Sequence, residues 1–359
     1  MNNLRSAFPA LDNYTYLNTA THGLISQKMA AHRTGLIETV LKDPVLALER
    51  QEGIISETRE KVATFLDAPT HLTGLLPNFS IAFNLLLGLI PRSKKFLLVQ
   101  GDYPSINWAV DSMGFSCMYA QLDENLEHHI KQQVIKEQPD FLCLSLVQYI
   151  SGIKIDFEFI KQLKIDFPNL TIIVDGTQYV GSGELRFRES GIDILIASCY
   201  KWLHAGEGNA FITFQPNVAN LLKPNNFQDI EPDSFNNARG CFMGIFEPGH
   251  HNLIATSSLG AAIDEFNCIG QLRIYDRVDR IGKLARAAFE KRGLIDQMVV
   301  AREQHSSIFN LRGDVKLFNH LQDNHVICAL RGDGVRVSFH FFNTEDELHY
   351  LTQLLDQFL

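Results

Sequence analysis

Between Lys95 and Phe214 the chain repeats one pattern, a short apolar run, a polar turn and then a segment with helical spacing. The runs are FLLV (Phe96 to Val99), FLCLSLV (Phe141 to Val147), TIIV (Thr171 to Val174) and DILIA (Asp193 to Ala197). Alternating strands and helices predict an α/β fold, a mostly parallel sheet flanked by helices. A further β-prone run, AFITF (Ala210 to Phe214), follows glycines and is expected to run the other way. In such sheets ligands bind beyond the carboxyl ends of the strands. Asp102, Tyr103, Gln148, Asp175, Gln178, Ser198 and Lys201 all fall there.

At 359 residues the chain exceeds the size at which one core keeps growing, which predicts a large domain and a smaller one. We place the large domain at 12–250 and a small α+β domain at 251–359, joined by the N-terminal segment 1–11. A net charge of −9 gives no basic excess to displace phosphate counterions, so nucleic acid is not an expected partner. The longest apolar stretch, Ile81 to Ile90, is broken by Asn84 and falls far short of the roughly 20 residues a membrane helix needs. The start MNNLRSAFPALDNY lacks the apolar core of a secretory signal, so a cytoplasmic protein is expected. Six cysteines without a Cys-x-x-Cys pair fit reduced thiols, and the adjacent pairs His128/His129 and His250/His251 do not suit a metal.

The remaining segments frame the site. Apolar spacing from Ser26 to Leu66 predicts two helices parted near Asp43-Pro44. GLLPNFSIAFNLLL (Gly74 to Leu87) is a turn feeding a helix that Asn78 or Ser80 would cap. Such a start can hold a phosphate, though capping alone also accounts for these residues. KPNNFQDIEPDSFNNARG (223–240) is expected to be an irregular excursion. Helices are expected at Leu253 to Cys268 and Gln271 to Arg292, with short strands near Val315 to Phe318, Val326 to Leu330 and Val335 to Phe339. A last helix, Thr344 to Leu359, has Thr344 and Glu347 in capping-box spacing.

Chemistry enters with two strand ends. Asp175 follows TIIV and Lys201 follows DILIA, and one βαβ step sets them side by side. Alone, a lysine after a strand is most often a solvated loop residue, and Asp-Gly is a favourable turn pair. Together they match what pyridoxal phosphate needs: a lysine for its aldehyde and an acid that keeps its ring nitrogen protonated.

With that pair in view, the chain resembles the class V aminotransferase family of fold type I pyridoxal-phosphate enzymes, which includes cysteine desulfurases, kynureninases and isopenicillin N epimerases. The likeness is strongest in VDGTQ (Val174 to Gln178), SCYKWLHAGEG (Ser198 to Gly208) and VRVSFHFFNTEDEL (Val335 to Leu348), and looser in GDYPSINW and FEPGHHN. The resemblance implies that Lys201 forms the Schiff base and shuttles the substrate proton. It gives Asp175 the pyridinium, Gln178 the phenolic oxygen, Tyr103 the ring face, and Gln148 a place near the ring's oxygen edge. Phosphate would be held by Ser198, Tyr200, Ser80 and the amides around Asn78 and Phe79. Many relatives carry small hydroxyl residues at Phe79, histidine at Tyr200 and threonine at His250, so the phosphate contacts here depart from the usual pattern. The resemblance also implies a homodimer with His250 and Asn252 reaching across it, and Arg336 holding the α-carboxylate of an amino-acid substrate by a two-pronged contact.

The expected reactions diverge after the α-carbon bond breaks. A desulfurase needs a nucleophilic thiolate on a loop before the carboxylate-binding arginine. Cys328 is the cysteine near Arg336, and it sits in the apolar run VICAL, which reads as a buried strand. Transamination is the first expectation because it asks for no group beyond Lys201. Epimerisation or C–C or C–S cleavage of the kynureninase or desulfurase kind is the alternative. A binding module that keeps the fold without catalysis is a third, motivated by the three departures.

Overall fold

A computed structural model describes residues 2–223 and 241–358, so all but Lys223 of the expected excursion lies outside the described residues. Twelve strands are described: β1 (Thr15–Tyr16), β2 (Thr73–Leu76), β3 (Lys95–Val99), β4 (Ser116–Ala120), β5 (Phe141–Ser145), β6 (Thr171–Asp175), β7 (Ile194–Ser198), β8 (Ala210–Phe214), β9 (Ile308–Arg312), β10 (Val326–Ile327), β11 (Ala329–Arg331) and β12 (Gly334–Ser338). Seven form one sheet in the order β2-β8-β7-β6-β5-β3-β4. The five strands β3 to β7 are parallel, and β8 runs antiparallel to both β7 and β2, as AFITF predicts.

The apolar runs are continuous because both faces of the sheet are covered. Side chains alternate between faces along each strand, so Leu97, Val99, Ile172, Val174, Leu195 and Ala197 join one core, and Phe96, Leu98, Ile173, Ile194 and Ile196 join the other. The second core is roofed by the helix Phe79–Leu89, which buries Phe79, Ala82, Phe83, Leu86 and Leu87. The first is covered from the other side by Pro44–Leu66 and Leu253–Ile269, among others. Among the described residues no helix is long and apolar enough to cross a membrane.

Several expectations hold in detail. The break at Asp43-Pro44 separates Gln27–Lys42 from Pro44–Leu66, with the Asp43 carboxylate accepting from the Leu46 amide. The capping box forms: Thr344 N–H donates to Glu347 Oε2 at 2.9 Å and Glu347 N–H to Thr344 Oγ1 at 3.2 Å. Others need correction. Val315 to Phe318 is not a strand but the start of the helix Val315–Asp323, capped by Asp314. Its short run VKLF suits either period, and Leu317 and Leu321, one turn apart, face the core. The link from β6 to β7 carries only a 3-10 turn at Phe187–Glu189, where a helical crossover was expected.

The N-terminal segment is tied to the C-terminal strands. β1 pairs in parallel with β10, Arg5 meets Glu347 at 3.0 Å, and Phe8 packs on Phe341, Phe342 and His204. His204 and His340 lie 4.7 Å apart in this apolar cluster, both neutral because burial pulls their pKa values down, that of His204 to about 4. The unfolded chain therefore takes up protons below about 6.5 that the folded chain refuses. Stability is full above that value and is lost as the pH falls toward 4, by about 2 kcal/mol at pH 5 from His204 alone. Thermal unfolding should thus start at clearly lower temperature at pH 5 than at pH 7. His204→Asn, which tolerates the left-handed backbone at φ 54°, should flatten that dependence. An equal fall in both proteins would remove His204 as its source.

Candidate active site

Alternation along the strands brings the reactive residues to one place. Asp175 closes β6 on the face of Ile173, and Ser198 closes β7 on the face of Ile194 and Ile196, beneath the helix Phe79–Leu89. Between β3 and β5 the strand order reverses, which opens a crevice at their carboxyl ends. Asp102 bridges it, accepting from Tyr103 N–H, Ser145 N–H and the Ser145 hydroxyl at 2.7 to 2.8 Å. The pocket that results is lined by Asn78, Phe79, Ser80, Tyr103, Ser145, Tyr149, Asp175, Thr177, Gln178, Ser198, Tyr200 and Lys201.

Lys201 is 7% exposed, and the rings of Tyr103 and Tyr200 lie 5.7 and 5.6 Å from its Nζ. Burial pulls its pKa well below the usual lysine range, Asp175 opposes that shift, and Arg336 and Arg331 add to it. Burial pushes the Asp175 carboxyl up, against its bonds from Thr177 and the attraction of Lys201. A solvated loop lysine would show neither effect. Here a desolvated amine, ready to act as nucleophile or base near neutral pH, faces a buried acid that seeks a cationic N–H partner.

Beside them is an anion cradle. The first amide of the helix Phe79–Leu89 donates to Ser198 Oγ at 2.9 Å, and Ser80 Oγ meets Ser105 Oγ at 2.9 Å. Asn78, not Ser80, caps the helix through Ile81 N–H. The helix dipole and these hydroxyls favour a phosphate. The departure at Phe79 has a packing origin: its ring turns into the core and stacks on Phe83 at 5.4 Å. Burial pushes the Tyr200 hydroxyl up to about 12, which keeps it a neutral donor.

Arg336 is 3% exposed and donates to the Tyr149 carbonyl at 2.6 Å and to Thr21 Oγ1 at 2.5 Å. Its Nε has no partner, and it forms no ion pair with a carboxylate among the described residues. Burial and Arg331 hold its pKa below the usual arginine range. A buried guanidinium on neutral acceptors is an unfinished ion pair.

Four expected residues do not line this pocket: Arg336, whose guanidinium meets the carbonyl of the lining residue Tyr149, and Gln148, His250 and Asn252. The Gln148 amide accepts from Ile150 and Ser151 N–H in its own loop and donates to the Gly101 carbonyl, and the side chain does not line the pocket. His250 borders a different cavity, beside Glu247 and His251, and Asn252 caps the helix Leu253–Ile269. That loop is anchored by Glu247, which accepts from Arg59 Nη1 and Nη2 and from Leu75 N–H. Sequence reasoning missed Thr177, Tyr149, Ser145 and Thr21. Thr177 binds Asp175 through its amide at 2.8 Å and accepts from Ser198 N–H at 3.0 Å, and it stands inside the VDGTQ motif where it was readable.

The family described as aminotransferase class V matches residues 46–351, so the chain belongs to that family. A relative from Bacillus subtilis (strain 168), an uncharacterized aminotransferase called YcbU, is 24% identical over 96% of this chain and 95% of its own. A probable cysteine desulfurase from Mycoplasma genitalium is 25% identical over 84% of this chain and 81% of its own. In fold the chain is similar to a C-DES variant with glycine covalently linked to its PLP cofactor, at TM-score 0.86 and 16% identity over 98% and 99% of the two chains. The apo cysteine desulfurase of Thermococcus onnurineus NA1 gives 0.83 at 16% identity over 99% and 97%. The fold is therefore the α/β type of these enzymes, and membership brings pyridoxal phosphate with it as cofactor. The residues present fit that group: a desolvated lysine for the aldehyde, a buried acid for the ring nitrogen, an aromatic face at Tyr103 and a helix start with hydroxyls for the phosphate.

Proposed function

We propose that this chain is an aminotransferase acting on an α-amino acid, and the observation that carries the proposal is the buried, desolvated Lys201 facing buried Asp175. Lys201, Asp175, Tyr103, Gln178, Ser198, Tyr200, Ser80 and the amides at Asn78 and Phe79 would hold the cofactor. When bound, pyridoxal phosphate supplies an electron sink for the charge left at the substrate α-carbon. Asp175 holds a proton at the ring nitrogen. Arg336 binds and orients the substrate carboxylate with its guanidinium fork. Lys201 takes the α-proton at Nζ and gives it back, which its lowered pKa permits near neutral pH. We read the enzyme as a homodimer, with the exposed His250 and Asn252 of one protomer turned toward its partner's pocket.

C–S cleavage is the second reading, favoured by the two relatives described as probable cysteine desulfurases. Against it stands Cys328, 4% exposed, whose thiol is pushed up to about 12 by burial. The test is a panel of amino acids with the cofactor-loaded protein. An aminotransferase yields 2-oxo acid only in proportion to enzyme until a second 2-oxo acid is added, and then turns over. Sustained release of sulfide or alanine without that acceptor would replace the aminotransferase reading with the lyase one.

A further inference from the structure

Gln178 is buried with both ends of its amide engaged. Trp202 Nε1 donates to Gln178 Oε1 at 2.8 Å, and Gln178 Nε2 donates to the Ala20 carbonyl at 2.9 Å. An indole N–H can only donate and a peptide carbonyl can only accept, so the two contacts fix which end of the amide is which. Gln178 also lines the pocket, and what it has left to offer there is the second Nε2 hydrogen and the second lone pair of Oε1. Toward a pocket oxygen that carries no proton it can act only as a donor. A donor stabilises an oxygen that carries negative charge.

Trp202 itself is held in place. It is 1% exposed and follows Lys201 directly in the turn. Phe341 N–H donates to His340 Nδ1 at 2.7 Å, so the proton of that neutral ring sits on Nε2, which donates to the Trp202 carbonyl at 2.8 Å. Gly181, at φ 101°, lies so close that a Cβ would fall 2.7 Å from the Trp202 carbonyl. On the other side Gly23 N–H donates to the Tyr200 carbonyl at 3.0 Å.

We propose that Trp202 is a positioning residue that works through Gln178: its indole N–H fixes the amide so that Gln178 meets the cofactor's ring oxygen as a donor and lowers that oxygen's basicity. The proposal rests on the reading of this pocket as the pyridoxal-phosphate site, and extends it to a residue that touches neither cofactor nor substrate.

The measurement is the pH midpoint of the visible absorbance band of the cofactor-loaded protein. Gln178→Ala should raise the midpoint by about one unit, the loss of one hydrogen bond to a charged oxygen. Trp202→Phe should raise it by about half a unit, a fraction of the same bond. In the Gln178→Ala background Trp202→Phe should add no shift, because a residue that acts through another has no effect once the other is gone. An equal shift in both backgrounds, or none in either, overturns the proposal. A second measurement stands if Trp202→Phe fails to fold. The chain has two tryptophans, Trp108 at 72% exposure and Trp202 at 1%. In protein labelled with nitrogen-15 at tryptophan, the buried indole N–H should carry a hydrogen-bonded shift that Gln178→Ala abolishes, with or without cofactor. An unmoved resonance overturns the proposal. Wild-type protein without a visible band, but with that indole shift, would instead remove the cofactor reading and leave the Trp202 contact standing.

Discussion

Lys201→Ala is expected to bind pyridoxal phosphate without capturing it covalently and to process amino acids at least about 10³-fold more slowly than wild type. Both effects would come from one atom, Nζ, which in the proposed role holds the cofactor's aldehyde and moves the substrate proton. Borohydride reduction followed by mass measurement should find cofactor mass on the wild-type chain at Lys201 and none on the variant. The stability of the variant runs the other way. Lys201 is buried, and the cost of desolvating its ammonium is what pulls its pKa down. Removing it also leaves Asp175 without that charge, but Thr177 still donates to the carboxylate. The melting temperature should therefore hold or rise while activity disappears, as expected of a residue kept for chemistry at the expense of stability. Activity within tenfold of wild type would dismiss Lys201 as the catalytic group.

Those strand-end residues were readable because their placement is local. A run such as TIIV or DILIA fixes the strand, period two fixes the face, and the next polar residue then falls at the sheet's carboxyl edge. Two of the strands that escaped notice, β4 and β9, lack that mark. β4, with the sequence SCMYA, lies at the sheet edge with Ser116 and Tyr119 exposed, so nothing required a continuous apolar run. β9, with the sequence IFNLR, is broken by Asn310 on its half-buried side. The support around the site was hidden for a different reason. Gln178 is pinned between Ala20 and Trp202, and Arg336 between Thr21 and the Tyr149 carbonyl, so each depends on segments remote in sequence. Residue type could suggest a role for Arg336, but not its want of a carboxylate partner. Gln148 failed for a local reason instead: its position beyond β5 pointed to the pocket, while the turn residues Ile150 and Ser151, two and three positions on, claimed its side-chain oxygen.

Arg336→Leu is the change expected to separate binding from chemistry. The guanidinium is buried on two neutral acceptors, with Nε unpaired, and a substrate carboxylate would complete it. Losing a buried, hydrogen-bonded charge pair costs about 2–5 kcal/mol, so kcat/KM for an α-amino acid should fall by about 30- to 5,000-fold. A purely structural role is the competing account, since Arg336 also joins the Tyr149 loop to Thr21. The two accounts part over an amine that lacks the carboxylate but is otherwise the same molecule. If Arg336 reads the carboxylate, wild type prefers the amino acid strongly, and Arg336→Leu erases that preference by losing rate on the amino acid alone. If Arg336 only braces the loop, rates on both compounds fall together and the preference survives. Lysine at this position should restore little, because a single ammonium cannot reproduce the fork that holds Tyr149, Thr21 and a carboxylate at once.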